Sequence, residues 1–272
     1  MNYSVLMSVY AKEKPEYLKE CLESIFNCTS PSNDIVMVKD GPLTDELDKI
    51  LSDYANQYDT FNIVPLEQNS GLGIALNHGL AHCKNDLIAR MDTDDICEKD
   101  RFEAQLKVFK EDPSVSVVGG YITEFIDTPD NIVSTRKVPL TFEELRQYGK
   151  KRNPVNHVTV MFRKQDIIEV GSYQKVKDVG YEDYDLWIRL ILANKKIVNI
   201  DKVLVNVRVG NDMYKRRGDK KRLKTALFFR KKLWKCHYYG FFSYVLYSVE
   251  TIAFACVPSW ARKLLYKKIL RK

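Results

Sequence analysis

The chain predicts an α/β fold, with largely parallel strands sandwiched between helices, followed by a basic, amphipathic C-terminal region. Three observations predict it. Apolar, β-branched runs alternate with segments of helical periodicity through the first third of the sequence, which is the signature of repeated strand–helix–strand units. Acidic and amide residues recur where those runs end, at Asp40, Asn69 and Asp92, the place where open α/β sheets bind ligands. The charge is also split: residues 213–272 hold 17 Lys/Arg against two acidic residues, while the whole chain carries only +7.

Each element has its own signal. YSVLMSVY (3–10) is an apolar strand run, and with no basic n-region or cleavage site around it, it does not read as a signal peptide. PEYLKECLESIFNC (15–28) places Leu18, Cys21, Leu22, Ile25 and Phe26 at helical spacing, with Pro15 in the first turn, where a missing N–H costs nothing. DIVMVKDG (34–41) is a second strand. TDELDKILSDYANQY (44–58) is a helix with Thr44 as N-cap and Leu47, Ile50, Leu51 and Tyr54 inward. FNIVPLEQN (61–69) reads as strand, GIALNHGLAHC (73–83) as helix and DLIARMD (86–92) as strand. Residues 114–138 read as strands with a turn, 142–151 as helix and 157–164 as strand. Residues 182–194 form a helix with Leu186, Trp187 and Leu190 inward. Near residue 215 the composition changes, which divides the chain into 1–214 and 215–272.

Bulk numbers narrow the function. With 272 residues, 45% of them apolar, the chain can bury a substantial core. Six cysteines form no C-x-x-C pair and no zinc-spaced cluster, so they read as reduced thiols and a zinc site is not expected. The basic tail suits an anionic membrane face, and no recognition module for nucleic acid accompanies it. Within the tail, YYGFFSYVLYSVETIAFACVP (238–258) carries one charge, Glu250. Its tyrosines recur throughout and its flanks are basic, which fits a helix lying in the membrane interface. A transmembrane span and a plain packed helix are the other readings.

Four stretches carry chemistry. Asp92-Thr93-Asp94, with Asp95 next, crowds carboxylates at a strand end. Mg²⁺ and Mn²⁺ favour such oxygen ligands, with substrate phosphates completing the shell. The other reading lets Asp94 and Asp95 open the following helix, where acidic side chains complement the dipole. In QNSGLGIALNHG (68–79), Gly71 and Gly73 precede a helix, but neither a Walker pattern nor a full G-x-G-x-x-G is present. Glu182 and Asp183 open the helix at 182–194, either as caps or with one of them as a general base held by a rigid element. Arg216 and Arg217 lie in a basic, glycine-containing stretch, either a solvated charge run or a lid that neutralises a leaving diphosphate.

Taken in order, SVYAKE, KDG, NSGLGIALNHG, RMDTDD, NHVTVMFRK, YEDYDLWIRL and RVGNDMYKRRG resemble the family-2 glycosyltransferases. The likeness is greatest to the bacterial branch that builds O-antigen, capsule and related polysaccharides, and it covers the chain to about residue 220. The resemblance implies a GT-A fold and an inverting transfer from a nucleotide-sugar, commonly a UDP-sugar, with Mn²⁺ or Mg²⁺. It also implies a lipid-linked saccharide acceptor, often on undecaprenyl diphosphate, and a peripheral place on the cytoplasmic face of the bacterial inner membrane. By resemblance, Ser8, Val9, Tyr10, Glu13 and Asp40 would hold the nucleoside, and Asn69, Gly71 and Arg90 would line the same cleft. In the D-x-D-like triplet around Thr93, Asp92 would face ribose or sugar and Asp94 would be the main metal ligand, with Asp92 beside it. Glu182 and Asp183 match the family's ED motif, with Asp183 as base, and His157, Arg216 and Arg217 match positions near the diphosphate or acceptor. Two departures bear on the donor: Lys39 stands where many members carry an aspartate, and Leu76 replaces a basic residue. A sugar-nucleotide-binding subunit without turnover shares the metal and nucleoside positions but does not need Asp183. A nucleotidyltransferase would need a glycine- and arginine-rich N-terminal loop that is missing.

Overall fold

The structure is a computed structural model that describes residues 1–176, 180–210 and 220–257. In chain order the strands are β1 (Tyr3–Val9), β2 (Asp34–Lys39), β3 (Phe61–Pro65), β4 (Leu87–Arg90), β5 (Ile96–Cys97), β6 (Val115–Phe125), β7 (Ile132–Arg136), β8 (Met161–Arg163) and β9 (Lys196–Arg208). The helices are α1 (Pro15–Phe26), α2 (Asp45–Gln57), α3 (Leu72–His82), α4 (Arg101–Glu111), α5 (Phe142–Tyr148), α6 (Lys164–Glu169), α7 (Glu182–Leu192), α8 (Lys220–Lys235) and α9 (Phe241–Cys256).

One sheet runs β3-β2-β1-β4-β8-β6-β9-β5, with β7 paired to β6. Its first four strands are parallel, as the sequence predicts. Beyond β4 it becomes mixed: β8 is antiparallel to both β4 and β6, whereas β9 runs parallel to β6. Alternation along the strands fills two cores. Val5, Met7, Ile35 and Met37 pack with Leu18, Leu22, Leu47 and Phe102 on one face. Leu6, Val36 and Val38 pack with Leu76, Leu80, Trp187 and Leu190 on the other. A sheet buried on both faces requires the near-continuous apolar runs seen in β1 and β2.

Helix starts follow local chemistry. Thr44 caps α2 by accepting from the Leu47 N–H, and Thr141 with Glu144 forms a reciprocal capping box at α5. The strand expected over 157–164 divides into a single 3₁₀ turn at His157–Thr159 and the short β8. Local side-chain bonds hold the turn: Asn156 Nδ2 donates to Gly120 O at 2.8 Å and Thr159 Oγ1 donates to Asn156 O at 2.7 Å. The helix expected directly after Asp95 is delayed until Arg101 by β5, so Asp94 and Asp95 do not form its first turn. β9, a 13-residue strand, was not foreseen, because Asn199, Asp201 and Lys202 interrupt its apolar pattern. The buried Asn199 Nδ2 donates to Pro139 O at 2.6 Å and Pro154 O at 3.2 Å.

The C-terminal helices pack onto this body. Phe229 and Leu233 of α8 are buried with Trp187, and Lys232 pairs with the buried Asp185 at the start of α7. α9 turns Tyr244, Tyr247 and Thr251 toward α8 and the body, while Phe242, Val245, Leu246, Val249 and Ile252 stand exposed. Among the described residues no helix is long and apolar enough to cross a membrane.

Candidate active site

The carboxyl ends of β1, β2 and β4 open on a cleft of about 570 Å³. Ser8, Tyr10, Glu13, Asp40, Asn69, Gly71, Asp92, Thr93 and Asp94 line it, so the parallel strands gather most of the sequence-selected residues at one sheet edge. Val9 is different: strand alternation sends its side chain into the core. It serves the site through its carbonyl, which accepts the Asp40 N–H at 2.8 Å.

Asp40 builds one wall. Its carboxylate accepts from Ser70 N at 2.6 Å, Gly71 N at 3.0 Å and Asn69 Nδ2 at 3.2 Å. The loop entering α3 is thereby tied to the end of β2. Gly41 completes the joint with a φ of +87°, and a Cβ there would lie 2.5 Å from Asn69 N. Glycine is required on both counts. Gly41→Ala is expected to push the Asn69–Gly71 loop outward and destabilise the fold by about 1–3 kcal/mol, measured by chemical denaturation.

The aspartates stand opposite. Arg90 is fully buried and does not line the cleft. Its guanidinium grips the Asp92 carboxylate with two hydrogen bonds, one of them Nη1–Oδ2 at 2.6 Å. Thr93 Oγ1 donates to Glu13 Oε2 at 2.6 Å. Asp95 is buried and accepts from the Arg208 N–H at 2.9 Å. Burial, with Asp92 and Glu13 nearby, pushes the Asp94 carboxyl up to about 7. Among the described residues no group of three or more His, Cys, Asp or Glu side chains is placed to hold a metal. Asp94 and Asp92 are a partial oxygen set, fitting a Mg²⁺ or Mn²⁺ ion that draws its remaining ligands from phosphate and water. The Asp94 carboxylate, desolvated and crowded by like charge, would be relieved by such a cation.

A second cavity of about 300 Å³ shares Gly71 and Leu72 with the first and reaches Tyr173 and Glu182. α7 begins after two consecutive left-handed residues, Gly180 (φ +64°) and Tyr181 (φ +74°). A positive φ at a bulky tyrosine is a strained conformation, and it sets the angle at which Glu182 and Asp183 enter the site. Asp183 Oδ2 accepts from Asn153 Nδ2 at 2.6 Å. Burial raises the carboxyl above the ordinary range, and the Asn153 bond and the charge of Arg136 oppose that rise. Burial likewise raises Glu182. His157 lies behind this wall, with Nε2 2.8 Å from the Tyr173 hydroxyl and its ring edge-on to Trp187. Burial, and then Arg90, hold its pKa well below the usual value, and it lines neither of the two cavities. Arg216 and Arg217 lie outside the described residues.

Two residues that the motifs did not reveal hold the site together. Asn153 is one. Arg208 is the other: Nε donates to Asp94 O at 3.3 Å, Nη1 to Asp127 O at 3.0 Å and Nη2 to Glu20, over the ring of Tyr17. Arg208 opens the quoted stretch RVGNDMYKRRG, but with β9 unrecognised no role for it was legible in the sequence.

The glycosyl transferase family 2 model matches residues 4–171. The amylovoran biosynthesis glycosyltransferase AmsE of Erwinia amylovora is 38% identical over 98% of both chains. The UDP-Gal:alpha-D-GlcNAc-diphosphoundecaprenol beta-1,3-galactosyltransferase of Escherichia coli is 32% identical over 100% of this chain and 97% of its own. In fold, the chain is similar to residues 1–349 of S. aureus TarS in complex with UDP-GlcNAc, with a TM-score of 0.67 at 18% identity, over 99% of this chain and 76% of the other. The expected GT-A architecture is therefore the observed one, and the chain belongs to the family-2 glycosyltransferases.

Proposed function

We propose that the protein is a metal-dependent, inverting hexosyl- or N-acetylhexosaminyltransferase. It would move the sugar of a UDP-sugar onto a saccharide carried by undecaprenyl diphosphate, in cell-surface polysaccharide biosynthesis. The observation that carries the reading is the position of Asp183. It sits in the first turn of α7, between Glu182, which lines the cavity that shares Gly71 and Leu72 with the aspartate cleft, and Tyr184, which lines a further cavity together with Asn153, the residue that holds the Asp183 carboxylate. A base at that boundary can serve a donor on one side and an acceptor on the other.

The chemistry is a single displacement. Asp183 takes the proton of an acceptor hydroxyl while that oxygen forms its bond to the anomeric carbon. The bond from that carbon to the phosphate oxygen breaks, and its electron pair leaves with UDP. Configuration inverts and no enzyme nucleophile is needed. Tyr10, Glu13 and the Asp40-held loop would embrace the nucleoside. A divalent cation held by Asp94, with Asp92 beside it, would supply charge neutralisation at the departing diphosphate.

The donor side is supported by the solved UDP-GlcNAc complex of TarS, and the acceptor by the name of the E. coli relative. The exposed apolar strip on α9, within a segment of 17 basic and two acidic residues, supports docking to an anionic inner-membrane surface. The test is transfer by the full chain with Mn²⁺, a panel of UDP-sugars and a GlcNAc-diphosphate-lipid acceptor. One donor is expected to turn over with inversion, seen by NMR of the product linkage. Tight UDP binding with no turnover on any acceptor would instead favour a binding subunit.

A further inference from the structure

A further cavity of about 590 Å³ is lined by Tyr181 and Tyr184 at the start of α7 and shares no lining residue with the donor cleft. Its wall carries four cations, Arg136, Lys151, Arg152 and Arg230, against one carboxylate, Glu250. They converge from the end of β7, the loop after α5, and α8, so they are not a charge run along one solvated helix. The cluster is braced. Arg230 Nη1 and Nη2 donate to Lys150 O and Lys151 O, both at 2.8 Å, fixing the loop that presents Lys151 and Arg152. Among the described residues Arg136 makes a single hydrogen bond, from Nη2 to Asn153 O at 3.0 Å. The rest of its fork has no hydrogen-bond partner among the described residues, and a half-buried guanidinium lining a cavity beside Lys151 and Arg152 suits an anion.

Two other parts of the lining indicate which anion. Asn153 lines the cavity and holds the Asp183 carboxylate. Thr251 and Phe254 of α9 line it too, on the helix whose outer face is the exposed apolar strip. A ligand held among the cations would thus have the Asn153-held carboxylate and an apolar helix as neighbours.

We propose that this cavity holds the diphosphate of the acceptor, with the saccharide hydroxyl directed to Asp183 and the lipid leaving along α9. The inference rests on the acceptor class named above and assigns the residues that read it. Guanidinium and ammonium groups together match the two phosphoryl groups of a diphosphate better than the single one of a monophosphate.

The test is titration calorimetry on the full chain, with saturating UDP and Mn²⁺ occupying the donor cleft. The probes are GlcNAc α-1-diphosphate bearing a short alkyl tail and its monophosphate counterpart. Wild type is expected to prefer the diphosphate. Lys151→Ala/Arg152→Ala, both on an exposed loop, is expected to lose about ten-fold in diphosphate affinity and most of that preference, while UDP affinity, the check on folding, is unchanged. A double variant that keeps the preference overturns the subsite and leaves the acceptor class standing. Loss of UDP binding by wild type itself would bring down the functional reading beneath it. Phosphatidylglycerol vesicles supply the same phosphate chemistry as a headgroup. If they displace the analogue, the cations serve the membrane and the proposal falls; if they do not, it stands.

Discussion

Asp183→Asn is expected to cut sugar transfer by about 10³-fold while leaving UDP affinity within about two-fold, since a positioned base contributes on the order of 10²- to 10⁴-fold. The asparagine keeps the size of the side chain and can still accept from Asn153 Nδ2, now at 2.6 Å, but it cannot take a proton. The same substitution is expected to stabilise the fold at neutral pH. Burial raises the Asp183 carboxyl above its ordinary range, so its contribution to stability is full at low pH and is lost as pH rises through that raised value. Above it, wild type carries a desolvated anion that the variant lacks, and a Tm higher by about 2 °C is expected by calorimetry. The pH–rate profile checks the assignment independently. Its acidic limb is expected above the usual carboxylate range, and Asn153→Ala is expected to move it further up, because the lost bond favoured the anion. A limb that does not respond to Asn153 would assign the base elsewhere.

Asp94→Ala is expected to lower transfer by about 10²- to 10³-fold, the scale of losing one preorganised contact to developing charge. Its second readout does not depend on turnover: in wild type Mn²⁺ should tighten UDP binding, and in the variant that enhancement should vanish. Asp92 is held by Arg90 in two hydrogen bonds, so it is less free than Asp94 to reach a cation. Asp92→Ala is therefore expected to cost less in metal response. A variant of Asp94 that keeps full Mn²⁺-dependent UDP affinity would move the cation site away from this triplet.

What the sequence disclosed was local, and what it hid acts across space. The first four strands were legible because a sheet buried on both faces demands continuous apolar runs, and Thr44, Asp92, Asp94, Glu182 and Asp183 were legible because each sits at an element boundary. Asn153 was not, since it meets Asp183 from 30 positions away through a loop with no periodicity. β9 was hidden by interior polar residues such as Asn199, whose partners on another loop only the folded chain supplies. The outward apolar face of α9 reverses the usual reading of hydrophobic periodicity. The sequence showed that the segment was amphipathic but not which side would be covered.

β9 has one more consequence, for how this chain can change length. Three residues separate it from α7, the helix that carries Asp183, and it ends at Arg208, which holds Asp94 and Asp95. Because side chains alternate along a strand, adding or deleting one residue would turn every later side chain to the opposite face and pull Arg208 off the aspartates. Register shifts against β6 between Ile200, Val203 and Val205 already take up extra residues, so the segment that admits no slip is the regular run from Val205 to Arg208. A single-residue indel in that run would detach Arg208 from Asp94 and Asp95 while leaving the start of α7 in place.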